Sequence, residues 1–96
     1  MATFTVKEVV DGDTFSVVGG WTWDGKRGEF VRPLDYNTPE AGEPGYAEAK
    51  AKLVQLIQGK QVDIPKATSV DNYGRLLADV YFDGRNLAEY FPEYKV

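Results

Sequence analysis

The chain has 96 residues, with 11 Lys and Arg against 15 Asp and Glu, a net charge of −4, and neither cysteine nor histidine. Disulfides, thiol nucleophiles and thiolate zinc sites are therefore excluded, as are Ser-His triads, His-ligated zinc and His-based acid–base chemistry. Any catalysis must rest on carboxylates, Arg, Lys, Tyr, or a hard cation held by oxygen. An acidic balance is also not the footprint of a protein that coats nucleic acid by bulk charge, so an anionic partner needs a local Arg cluster or a bound cation.

The length corresponds to a single domain over residues 1–96. Apolar content of 43% and aromatic content of 14% suit a small closed core rather than a disordered chain. No apolar run approaches a membrane span. The opening MATFTVKEVV has no basic region followed by an apolar block. That fits a cytoplasmic protein, or a mature chain whose export signal has been removed.

In chain order, Thr3–Val10 is rich in β-branched residues and reads as a strand, with Thr14–Val18 returning after the Asp11-Gly12-Asp13 turn. Gly19-Gly20, Asp24-Gly25 and Gly28 bracket Trp21 and Trp23, which points to a long or bulged hairpin excursion. Glu29–Leu34 resumes the sheet, and a loop with two prolines and two glycines follows over Thr38–Gly45. From Tyr46 to Gln58 the period becomes helical, with Ala49, Leu53 and Ile57 recurring at i+4 and Gly59 as the stop. Val62 and Ile64 alternate in a short strand that Pro65 is expected to end. Asp71–Gly74 is a turn, Arg75–Phe82 a strand, Asp83-Gly84 a turn, and Asn86 caps a short helix through Phe91. Three strands, a helix, two strands and a short helix make a mainly β, α+β domain. The order suits a five-stranded OB-fold barrel, with the helix between strands three and four and a short C-terminal helix.

Each polar cluster admits two readings. Asp11-Gly12-Asp13-Thr14 is either a hairpin turn or a turn that aims one carboxylate into a cavity as a ligand for a hard cation. Arg32, between Val31 and Pro33, is either an edge residue whose stem covers apolar surface or a fork of donors for a phosphate. Arg75 repeats that choice. Glu40 is either a solvated loop residue or a base for a water molecule. Trp21 and Trp23 either pack on the sheet or form a stacking platform for nucleobases.

Taken together, DGDT, Arg32 followed by Thr38-Pro39-Glu40, the helix start with Gly45, Glu48 and Ala49, DNYGRLLA, and Asp83-Gly84 before Asn86–Glu89 resemble the staphylococcal-nuclease-like (thermonuclease) family. The resemblance runs from Val6 to about Tyr90. It implies an OB-type five-stranded barrel that hydrolyses phosphodiester bonds of DNA and RNA, usually with calcium. It further implies that Asp13 is a metal carboxylate, that Thr38 offers its carbonyl to the metal, and that Glu40 is the general base or water orienter. Arg32 and Arg75 correspond to phosphate-gripping arginines, Asp11 lines the same pocket, and Tyr73 matches a tyrosine beside the second arginine.

One departure stands out. Asn37 occupies the place of a second metal-binding aspartate. Its amide oxygen can ligate calcium but brings no charge, so weaker affinity is expected. Asp35 lies two residues earlier, and in an extended backbone it would point to the same side and partly restore that charge. The leading functional expectation is a calcium-dependent nuclease, other hard dications being possible. Little base specificity is expected, with a preference for single-stranded DNA or RNA, no membrane partner and a monomeric state. The alternative is a catalytically weak OB-type module that binds nucleic acid or a protein partner.

Overall fold

The structure is a computed structural model, described here for residues 2–96. Strands β1 (Ala2–Asp11), β2 (Thr14–Trp23) and β3 (Lys26–Pro33) precede helix α1 (Tyr46–Ile57), which is followed by β4 (Gln61–Val70), β5 (Leu76–Phe82) and a two-residue β6 (Arg85–Asn86). Two short 3-10 turns, Leu87–Tyr90 and Pro92–Tyr94, complete the chain. Neighbouring strands run in the order β3-β2-β1-β4-β5-β6, and a parallel β3–β5 pairing closes five of them into a barrel.

Closure requires strong bending, and the register shows where it comes from. β1 carries an extra residue against β2 between Val6 and Glu8, and another between Val9 and Asp11. Each such bulge bends the strand and increases its twist. β4 does the same across Pro65: Asp63 to Lys66 on β4 faces Tyr81 to Asp79 on β5. Pro65 therefore does not end this strand, as its missing N–H suggested, but sits where the ladder is already interrupted. The strand continues to Val70.

The long, bulged hairpin excursion expected around Trp21 and Trp23 is present as the β2–β3 hairpin. β2 and β3 pair out to Trp23 and Lys26, with a register shift between Ser16 and Trp21 that contains Gly19 and Gly20. The connecting Asp24-Gly25 has φ of 50° and 76°, the paired left-handed values of a two-residue turn matched to strand twist. Trp21 is buried, donates Nε1–H to the Phe30 carbonyl at 2.9 Å, and rests against Gly28, where a Cβ would meet its Cζ2 at 2.8 Å. Trp23 packs half-buried on the same core. Trp21 thus follows the packing reading, while Trp23 keeps part of its surface exposed.

Helix α1 buries Ala49, Leu53 and Ile57, the stripe read from its period, and it lies against β1. The C-terminal helix is a 3-10 turn, opened by the Asn86 side chain accepting the Ala88 amide at 2.9 Å. Leu87, Ala88 and Phe91 then enter the core.

One close approach joins helix, hairpin and loop. A Cβ at Gly12 would lie 2.7 Å from Thr38 Oγ1 and 2.9 Å from Ala49 Cβ, so the β1–β2 turn seats directly on the loop after β3 and on the first turns of α1. Gly12→Ala is expected to destabilise the fold by about 1–3 kcal/mol, because loop or helix must shift to admit the methyl. Urea denaturation measures this, and a midpoint equal to the parent's would contradict the seating described.

Candidate functional site

Three chain segments meet at one end of the barrel. Parallel pairing sets Val31, Arg32 and Pro33 beside Leu76, Leu77 and Ala78, so Arg32 and Arg75 approach one another from adjacent strands. The Gly12 seating brings the Asp11–Thr14 turn against the loop that leaves β3. Between them is a cavity of about 260 Å³ whose walls include Asp11, Asp13, Arg32, Asn37, Thr38, Glu40 and Arg75. A more open depression of about 410 Å³ lies along the β2–β3 hairpin, but glycine and backbone make up much of its wall. The charged side chains with complementary chemistry converge in the smaller cavity.

Asp13 is at its centre. It is 8% exposed. Its Oδ2 accepts the Thr38 amide at 3.2 Å and lies 3.4 Å from Arg32 Nη2, while its Oδ1 accepts from the Thr14 hydroxyl at 3.5 Å. A carboxylate so enclosed stays in place because donors surround it. Asp11 is the outer acid, and its Oδ1 accepts the Tyr46 hydroxyl at 2.7 Å. That hydrogen bond, with lesser help from burial and the two nearby aspartates, pushes the Tyr46 hydroxyl above its ordinary pKa and keeps it a donor.

Both arginines are anchored by fixed acceptors. Arg32 Nη1 donates to the carbonyls of Pro33 and of Tyr36, the latter at 3.0 Å, and Nη2 donates to Asn37 Oδ1 at 3.1 Å. Its Nε–H is not part of this set. Arg75 Nε donates to Asp71 Oδ2 at 2.7 Å and Nη1 to Thr14 Oγ1 at 3.1 Å. For Asp71, burial would raise the carboxyl pKa, but hydrogen bonds from the Arg75 main chain and side chain and from the Tyr73 amide outweigh it and hold the group below the usual carboxylate range. Tyr73 is 82% exposed, with the Arg75 guanidinium 5.4 Å from its ring centroid. It stands beside the cavity, not in its wall.

Tyr36 lies behind the cavity. Its hydroxyl donates to the Gly12 carbonyl at 2.9 Å, and its ring stacks on Phe91 at 4.7 Å. Burial, reinforced by Asp13 and only partly offset by Arg32, raises its pKa far above the ordinary tyrosine value, so the group remains a neutral donor.

Asp35 is placed differently from the extended-backbone expectation. Its φ of 76° turns the chain just past the end of β3, and it borders a neighbouring depression that shares Arg32, Asn37 and Arg75 with the main cavity. The chain turns between Asp35 and Asn37, so the two do not share a face of one strand. Asn37 does border the main cavity, with its amide oxygen already accepting from Arg32. The anchors Tyr36, Tyr46 and Asp71 were not singled out from sequence. Asp71 was legible only as the start of a turn, although its i,i+4 spacing to Arg75 carried the signal.

The donor set suits a hard cation. Among the lining residues the side-chain acceptors are the oxygens of Asp11, Asp13, Asn37, Thr38 and Glu40, with no nitrogen or sulfur ligand. Among the described residues no group of three or more acidic side chains is close enough to hold a metal by carboxylates alone. Amide and main-chain oxygens and water would have to complete the shell. Thr38 Oγ1 is buried and, among the described residues, has no hydrogen-bond partner.

Comparison with known proteins agrees with this geometry. Residues 31–91 match the family model described as staphylococcal nuclease homologue. Endonuclease YncB of Bacillus subtilis (strain 168) is 36% identical over 97 aligned positions, covering 93% of this chain and 44% of that protein. SPbeta prophage-derived endonuclease YokF of the same organism is 39% identical over 93 positions, covering 88% of this chain and 30% of that protein. The chain thus spans less than half the length of these curated relatives. With the matched segment running from β3 through the 3-10 turn after β6, and so containing both arginines and Glu40, the chain belongs to the family of staphylococcal nuclease homologues.

Proposed function

We propose that this cavity hydrolyses phosphodiester bonds of DNA and RNA, preferring single strands and reading bases little, with calcium or another hard dication as cofactor. One observation carries the reading: two arginines and three carboxylates line a single cavity, the arginines fixed by protein acceptors before any substrate arrives. The endonuclease names of the relatives support it. So does the chain's composition, because this chemistry needs neither His nor Cys.

The chain's own groups supply most of the chemistry. Arg32 and Arg75 donate N–H bonds to the non-bridging phosphate oxygens and stabilise the charge that grows there in the transition state. Because their anchors are already formed, little reorganisation accompanies substrate binding. Glu40 accepts the proton of the attacking water. Tyr73 offers an exposed ring beside Arg75 for the flanking nucleotide. Asp13, the Asn37 amide oxygen and the Thr38 carbonyl would hold a calcium ion, which would supply positive charge to polarise the phosphate. A second reading rests on Asn37. Its amide oxygen is engaged by Arg32 and adds no charge, which favours weak cation binding and a module that holds nucleic acid without cutting it.

In a cleavage assay on plasmid, denatured DNA and RNA with calcium, magnesium or chelator, Glu40→Gln, Arg32→Ala and Arg75→Ala are each expected to lower the rate on the order of 10²-fold or more. Parent-like cleavage by Glu40→Gln would remove the proposed base.

Asp71 gives a pH test. Its folded pKa is depressed, so its contribution to stability is complete above the unfolded value of about 3.9 and is lost as pH falls through the lower folded value. The stability difference between parent and Asp71→Asn is therefore expected to stay constant from about pH 7 to about pH 5 and to shrink only below about pH 4. Urea denaturation of both proteins across that range measures it. A difference already shrinking between pH 7 and pH 5 would contradict the anchored pair.

A further inference from the structure

Tyr36 is the largest fully buried side chain among the described residues, and the proposed chemistry gives it no task. Core packing alone would be served by phenylalanine. Instead the tyrosine makes a polar contact on each side of the site. Its hydroxyl donates to the Gly12 carbonyl, within the turn that carries Asp11 and Asp13, at 2.9 Å. Its own carbonyl accepts from Arg32 Nη1 at 3.0 Å. The residue is itself held on several sides. Its ring stacks on Phe91 at 4.7 Å and 12°, it bridges to Lys95, and the next amide, of Asn37, donates to the Tyr94 carbonyl at 2.9 Å.

The two groups it links, Asp13 and Arg32, face each other across only 3.4 Å. They come from different elements, the β1–β2 turn and the end of β3, so nothing in local chain geometry fixes that separation. We infer that Tyr36 is a positioning residue that locks the acid-bearing turn to the Arg32 strand, setting where the carboxylate stands relative to the guanidinium. This deepens the proposed function and rests on it. The residue touches neither substrate nor cation and acts through Asp13 and Arg32.

Tyr36→Phe keeps the ring and its stack and removes one donor. Two readouts follow, and one is independent of turnover. In single-strand cleavage, kcat is expected to fall about tenfold with KM within about twofold of the parent, because a misplaced pair is felt in the transition state. By hydrogen exchange, the Thr38 amide, which bonds Asp13 Oδ2, is expected to exchange about fivefold faster, while amides of the β4–β5 ladder hold their parent rates. Ile64→Val, a core truncation away from the cavity, serves as the control and is expected to change neither kcat nor the Thr38 amide.

Parent-like kcat in Tyr36→Phe overturns the inference, and so does faster exchange spread evenly over the whole barrel. A parent protein that cuts nothing overturns the proposed function instead, and the Thr38 exchange then still decides the coupling. Should Tyr36→Phe not fold, Phe91→Leu retains the hydroxyl but removes the stacked ring. The same local loss is expected there, and parent-like kcat and exchange in that variant would overturn the inference.

Discussion

The site depends on one absent side chain. At Gly12 the β1–β2 turn comes so close to Thr38 and Ala49 that a single methyl would collide with both. That contact fixes the turn against the loop and the helix at once, and from it the rest follows. The Asp13 carboxylate reaches the Thr38 amide, Asp11 reaches Tyr46 at the start of α1, and the Gly12 carbonyl reaches Tyr36. Bulges in β1 and β4 curve the sheet enough for β3 to meet β5, and that parallel pairing adds the two arginines. A barrel that failed to close would leave acids and arginines on separate edges.

Charge is distributed accordingly. The chain carries a net charge of −4, yet the cavity sets Arg32 and Arg75 among Asp11, Asp13 and Glu40. Any positive charge offered to an anion is therefore local, in two oriented guanidinium groups that three carboxylates outnumber, rather than spread over a basic surface. Each guanidinium is oriented by carbonyl, amide, hydroxyl or carboxylate acceptors. Such preorganised donors are the form in which hydrogen bonding contributes most to a developing negative charge. A cation added among these oxygen donors would reinforce the same field, to which Asn37 would bring an amide oxygen but no charge.

Much of this was legible in the residues. The helix stripe of Ala49, Leu53 and Ile57, the Asp24-Gly25 and Asp83-Gly84 turns and the cap at Asn86 are local features, set by period, φ preference and a side-chain acceptor. The cluster of Asp13, Arg32, Glu40 and Arg75 was visible only because several separated motifs agreed in order. What was not legible depends on pairing. Pro65 looks like a terminator until the bulge across it is known, and Trp21 looks available for stacking until Gly28 is seen beneath it. Asp35 seems to share a strand face with Asn37 until its left-handed φ turns the chain. The anchors Tyr36 and Tyr46 escaped notice because their partners lie 24 and 35 residues distant, whereas Asp71, four residues before Arg75, read only as the start of a turn.

The proposed function requires this cavity, and no other face of the barrel, to receive both cation and phosphate. Amide and guanidinium NMR shifts, followed during titration with calcium and then inorganic phosphate, test it most directly. Calcium is expected to shift Gly12–Thr14 and Asn37–Glu40 together, and phosphate then to shift the Arg32 and Arg75 guanidinium signals. Shifts confined to the β2–β3 hairpin, or none at millimolar calcium, would contradict it.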